Sequence, residues 1–122
     1  MTGSELPSFD PTVLQELRAS VGGDDGFITE LINTYRADSG GQLDAIEAAI
    51  TGSDPAALVR PAHSLKSSSA SVGAQKLSEI CRGLELDARS GLIADGARLA
   101  ALRSEWSEVG EALERFAAGM AG

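Results

Sequence analysis

The sequence predicts an all-α fold: an antiparallel up-down-up-down four-helix bundle with an additional short N-terminal helix. Three observations predict it. Apolar residues recur at three- and four-residue spacing along most of the chain, with no alternating strand pattern. Hydrophobic residues make up 43% of the chain but aromatics only 4%, so the core must be built from Leu, Ile, Val and Ala. The breaks between apolar stripes are short, and short loops between long amphipathic helices set neighbours antiparallel. A length of 122 residues fits one domain, taken as residues 10–122 after a flexible lead-in over residues 1–9.

Each element follows from its own signals. Asp10-Pro11 reads as an N-cap followed by Pro at the first helical position. Val13, Leu14 and Leu17 share one side of the short helix, and Gly22-Gly23 stops it. Asp24 or Asp25 can cap the second helix, whose stripe is Phe27, Ile28, Leu31, Ile32 and Tyr35, resuming at Leu43, Ile46 and Ile50. Ser39-Gly40-Gly41 between them is poor helix material, at about 1 kcal/mol per Gly relative to Ala. The gap holds no Pro and the stripe is picked up again, so one continuous helix is expected. Thr51-Gly52-Ser53-Asp54-Pro55 is a strong break, and the third helix is expected from about Pro55 to Val72. Pro61 inside it cannot donate to the carbonyl of Ala57, which predicts a kink or local loosening. Gly73 is a natural hinge before the fourth helix, with its stripe of Leu77, Ile80, Cys81, Leu84 and Ala88 ending near Ser90-Gly91. Asp95 or a neighbour caps the last helix, which carries Leu99, Leu102, Trp106, Val109, Leu113 and Phe116.

Charge and composition exclude several function classes. The formal net charge is −8, a poor surface for nucleic acid or anionic membrane, both of which require Lys and Arg. The single cysteine, Cys81, permits no intramolecular disulfide, which favours a reducing compartment. Residues Met1–Glu5 lack the basic-then-apolar pattern of a signal peptide, and no apolar run approaches the ~18–20 residues that span a bilayer. The expectation is a cytoplasmic protein, and the initial Met suggests one that stands alone.

The only histidine is His63. On a helical wheel, Leu58, Ala62, Leu65, Ser69 and Val72 cluster in one direction, which must be the core face. His63 falls about 140° from that centre, so it is expected to point outward. Its neighbours at helical spacing are Val59, Lys66, Ser67 and Ala70. Small residues there let a partner's backbone come close, and Lys66 sets a cation where a phosphoryl group's charge would lie. A neutral imidazole is a competent nucleophile near pH 7. A solitary surface histidine on a helix does not by itself establish a function.

The segment His63-Ser64-Leu65-Lys66-Ser67-Ser68-Ser69-Ala70-Ser71-Val72-Gly73-Ala74, followed by Leu77, Cys81, Leu84 and Glu85, resembles the signature of the histidine phosphotransfer family. That signature runs roughly His-x-Leu-Lys-Gly-Ser-Ser-x-x-x-Gly-Ala and then spaced Leu, Cys and Leu-Glu. The resemblance implies a four-helix phosphocarrier of two-component phosphorelays. In it His63 is phosphorylated, Lys66 assists the phosphoryl group electrostatically, and Gln75 hydrogen-bonds the histidine from the fourth helix. Gly73 forms the turn that lets the third and fourth helices pack closely, and Val59, Ser67 and Ala70 belong to the docking surface. The implied partners are receiver domains of response regulators or hybrid kinases, with Mg²⁺ on the receiver and no cofactor on this chain. Ser67 departs from the commonest pattern, which has Gly there; its hydroxyl is small and could bond the ring.

Other candidates read as structural. Cys81 lies on the core stripe, as an inert thiol. Glu79, Glu85, Asp87 and Asp95 read as solvated helix faces, and Trp106 as packing. His63 and Cys81 cannot alone make a zinc site, and the serines have no second histidine for a triad. No Gly-x-x-x-x-Gly-Lys motif exists for ATP, so no autonomous kinase activity is expected. The alternative function is a receiver- or kinase-binding adaptor that is never phosphorylated. A kinase dimerisation unit fits less well, because this chain has enough helices to close its own bundle as a monomer.

Overall fold

In the computed structural model, which describes residues 6–121, the helices are α1 (Pro11–Ser20), α2 (Asp25–Thr51), α3 (Pro55–Ser71), α4 (Gln75–Arg89) and α5 (Gly96–Ala121). Four of them start on an aspartate whose Oδ1 accepts an otherwise orphaned backbone N–H: Asp10 from Thr12, Asp24 from Phe27, Asp54 from Ala57 and Asp95 from Arg98. Pro11 and Pro55 occupy first-turn positions, where no N–H is missed.

α4 has no side-chain cap. Its Lys76 N–H donates instead to the carbonyl of Pro7, at 3.1 Å. The described part of the lead-in makes specific contacts with the bundle. Pro7 caps α4, Phe9 stacks edge-on against Phe116 with centroids 5.8 Å apart, and the Asp10 N–H donates to the Gly73 carbonyl at 2.9 Å. Residues 1–5 of the expected lead-in lie outside the described residues.

α3 packs most closely on α4 and on α2, α5 closes the ring against α2 and α4, and α1 lies along α2. The short connections 52–54, 72–74 and 90–95 require antiparallel neighbours, which gives the up-down-up-down bundle. The core comes from the expected stripes: Ile28, Ile32, Tyr35, Leu43, Ile46 and Ile50 of α2, Leu58, Ala62 and Leu65 of α3, Leu77, Cys81 and Leu84 of α4, and Leu102, Val109 and Leu113 of α5.

α2 runs unbroken through Ser39-Gly40-Gly41. Those small residues seat an indole. Trp106 Nε1 donates to the buried Ser39 hydroxyl at 2.8 Å, and a Cβ on Gly40 would stand 3.8 Å from Trp106 Cζ2. α3 likewise continues through Pro61 without a break; Ala57, whose carbonyl loses its helical donor, is exposed to water.

The α3–α4 turn packs closely against the lead-in. Gly73 adopts φ +87°, and a Cβ there would lie 2.5 Å from the Asp10 carbonyl oxygen. Both facts demand glycine. They bring α3 and α4 close enough for Ser78 Oγ to donate to the Lys66 carbonyl at 2.8 Å.

Candidate functional site

His63 sits in the middle of α3 with Leu58, Ala62, Leu65 and Ser69 turned into the core behind it. Its side chain is 55% exposed. The ring is not free on both sides. Nδ1 lies 3.0 Å from Glu85 Oε2 on α4. Lys66 Nζ lies 2.7 Å from the other oxygen, Oε1. Arg89, the last residue of α4, donates to Oε2 from Nε at 3.0 Å and from Nη2 at 2.7 Å.

Glu85 is the centre of this cluster, and the reading of it as a solvated helix-face residue is wrong: it is 5% exposed. Burial alone would favour its neutral form, but Lys66 foremost, then Arg89 and His63, hold the carboxyl down at about 2. A carboxylate accepts and cannot donate, so the proton of the bond belongs to Nδ1. In the neutral ring Nε2 then carries the lone pair, and no protein group among the described residues bonds it.

Gln75 does not take the place the resemblance implied. Its Nε2 donates to Asp10 Oδ2 at 3.2 Å, tying the start of α4 to the lead-in. The reason is the geometry of an antiparallel hairpin, which faces residues that stand equally far from its turn. His63 and Glu85 flank Gly73 at similar separations, whereas Gln75 sits beside the turn, about 15 Å along α4 from Glu85 at 1.5 Å per residue. Counting outward from Gly73 across both helices was the signal that could have found Glu85.

Ser67 and Ala70 are exposed on the His63 side of α3, and Val59 is half-buried. Ser67 makes no hydrogen bond to the ring; its carbonyl accepts from Ser71 Oγ at 3.1 Å. Val59 also lines a shallow groove with Pro55, Ala56, Ala88, Arg89 and Gly91, between the start of α3 and the end of α4. Asp87 pairs with Arg98 at 2.6 Å, Glu79 with Arg82 at 3.4 Å, and Asp95 caps α5. Cys81 is fully buried, and burial pushes its thiol up to about 12, which leaves it inert. Among the described residues no group of His, Cys, Asp and Glu gathers as a metal site, and no helix is long and apolar enough to cross a membrane.

A sequence model of the Hpt domain family matches residues 30–119, which include α3, α4 and the whole His63 cluster. The chain belongs to the Hpt domain family. Histidine-containing phosphotransfer protein B (HptB) from Pseudomonas aeruginosa PAO1 shares the fold of this Hpt domain at a TM-score of 0.81 and 30% identity, over 91% of this chain and 95% of that one. No curated protein sequence is matched significantly. The matched span leaves out α1 and the start of α2, so the strap from Pro7 to Asp10 that caps α4 in this Hpt domain lies outside the family match.

Proposed function

We propose that this Hpt domain carries a phosphoryl group on Nε2 of His63, relaying it between receiver-domain aspartates. The observation that carries the reading is the Glu85 bond to Nδ1, which leaves an exposed imidazole with its lone pair on the outward nitrogen. A receiver's aspartyl phosphate docks over His63. Nε2 attacks phosphorus in line, the N–P bond forms, and the P–O bond to the aspartate breaks, returning a carboxylate to the receiver. The Nδ1 proton stays in place, so positive charge develops on the ring. Glu85 stabilises that charge as a buried carboxylate stabilises an imidazolium in hydrolytic triads. The reverse step delivers the group to a second receiver.

Lys66 faces Glu85 in the unphosphorylated protein and is 29% exposed, with a stem long enough to turn toward a phosphoryl group on Nε2. The receiver's own Mg²⁺ supplies the divalent charge, and this chain contributes the nucleophile and a docking face. That face is Val59, Ser67 and Ala70. The domain acts as a cytoplasmic, monomeric phosphocarrier with no ATP site of its own.

The test is transfer from a phosphorylated receiver to the wild type and to His63→Gln. Acid-labile, base-stable label on the wild type alone is the expected result. Receiver binding without label on either protein would make the domain an adaptor.

A further inference from the structure

The three side chains that hold Glu85 divide its two oxygens unequally. Lys66 takes Oε1, whereas Oε2 receives both His63 Nδ1 and two donors of the Arg89 guanidinium. Two N–H groups of one rigid planar fork on a single oxygen fix where that oxygen stands and which direction remains for a third donor. Lys66 cannot do the same, because an ammonium is a point charge on a flexible stem. From this division we propose that Arg89 is a positioning residue for phosphotransfer: it pins Glu85 Oε2 so that His63 keeps its proton on Nδ1 and its lone pair on Nε2.

The inference rests on His63 being the phosphoacceptor, and it assigns the two cations different duties. When a phosphoryl group arrives on Nε2, Lys66, three residues along the same helix, is the cation free to turn to it. Arg89 sits on the same helix as Glu85, one turn on, and stays with the carboxylate. Glu85 therefore remains ionised, buried and aimed at Nδ1 while the charge on the ring changes. A surface pair at the end of a helix, present only for solubility or for the helix dipole, would leave the imidazole unaffected.

The measurement is ¹⁵N NMR of the His63 ring at a pH where it is neutral, on the wild type, Arg89→Gln and Arg89→Lys, beside single-turnover transfer and receiver affinity for each. The expected result is a dominant Nδ1–H tautomer in the wild type, a mixed tautomer in Arg89→Gln, and transfer slowed about tenfold with receiver Kd unchanged. Arg89→Lys restores the charge but not the fork and falls between the two. Thermal unfolding of each variant separates a misfolded protein from a mispositioned ring. An unchanged tautomer ratio overturns the proposal, as does an unchanged rate. Slower transfer matched by weaker receiver binding, with the tautomer intact, would make Arg89 a docking contact instead. If the wild type accepts no phosphoryl group at all, the relay reading fails, and the ring spectra alone still decide whether Arg89 positions Glu85.

Discussion

At the scale of single residues, Glu85 has the most to explain. Its carboxyl is pulled to about 2 from an ordinary 4.5, chiefly by Lys66, so it ionises more readily in the folded protein than in the unfolded chain. A lowered pKa adds stability that is fully present above the unfolded value and is lost as pH falls through the folded one. Acid unfolding of the wild type and of Glu85→Gln should therefore differ by a constant amount above about pH 5. The gap should close between 4.5 and about 2, where protonated Glu85 comes to resemble the amide. A gap that persists at pH 2 would place the stabilisation elsewhere. The same variant should slow transfer to a degree comparable with loss of a supporting partner, about 10- to 100-fold, with receiver binding retained. Glu85 stood in the sequence inside a family signature, yet a lone glutamate on a helix looks like every other solvated glutamate. Its burial depends on which residue of α3 lies across from it, and no one-helix wheel contains that information. His63 was legible because its position follows from α3 alone.

Helix by helix, what the sequence disclosed was local. Aspartate caps, first-turn prolines and three- and four-residue apolar spacing act within one or two turns, and α1, α2, α3 and α5 begin where those signals lie. What it did not disclose was borrowed from elsewhere in the chain. Gln75 opens α4 with no side-chain cap, and the missing acceptor comes from Pro7. The Ser39-Gly40-Gly41 stretch looked like a weakness because its partner, Trp106, is in another helix. Two substitutions test these elements. Gly73→Ala must force its Cβ to within 2.5 Å of the Asp10 carbonyl at a φ of +87°, so the strap or the turn has to give way. A loss of well over 1 kcal/mol is expected in denaturant unfolding. Gly41 has open space where a Cβ would go and lies in mid-helix, so Gly41→Ala should raise stability by about 0.5–1 kcal/mol. Destabilisation there would mean that the gap in α2 has a role beyond seating the indole.

Across the whole molecule, the bundle divides its tasks between two seams. The α3–α4 seam holds His63, Lys66, Glu85 and Arg89 over a base of Leu65, Leu77, Cys81 and Leu84. The α2–α5 seam holds the Ser39–Trp106 bond, with the Arg36–Glu114 pair and the Arg103 contacts to Asp44 and Glu47 on its surface. Tyr35 Oη and Ser69 Oγ, 2.8 Å apart, and the Arg98–Asp87 pair link the seams elsewhere, but among the described residues the His63 cluster and the Ser39–Trp106 bond share no hydrogen-bond partner. Side chains without common partners contribute additively to stability, within about 0.5 kcal/mol. Trp106→Phe removes the donor to a buried hydroxyl and should cost about 1–3 kcal/mol of global stability. Because Trp106 and Ser39 make no hydrogen bond to the His63 cluster, single-turnover transfer to His63 should be unchanged at temperatures where the variant stays folded. Glu85→Gln should do the reverse, slowing transfer with its stability cost confined to the ionised range. The double variant should show the sum of the two stability losses and the transfer rate of Glu85→Gln alone. A coupling energy above about 1 kcal/mol between them, or slower transfer in Trp106→Phe, would mean that α5 helps to set the distance between α3 and α4, so that the two seams work as one.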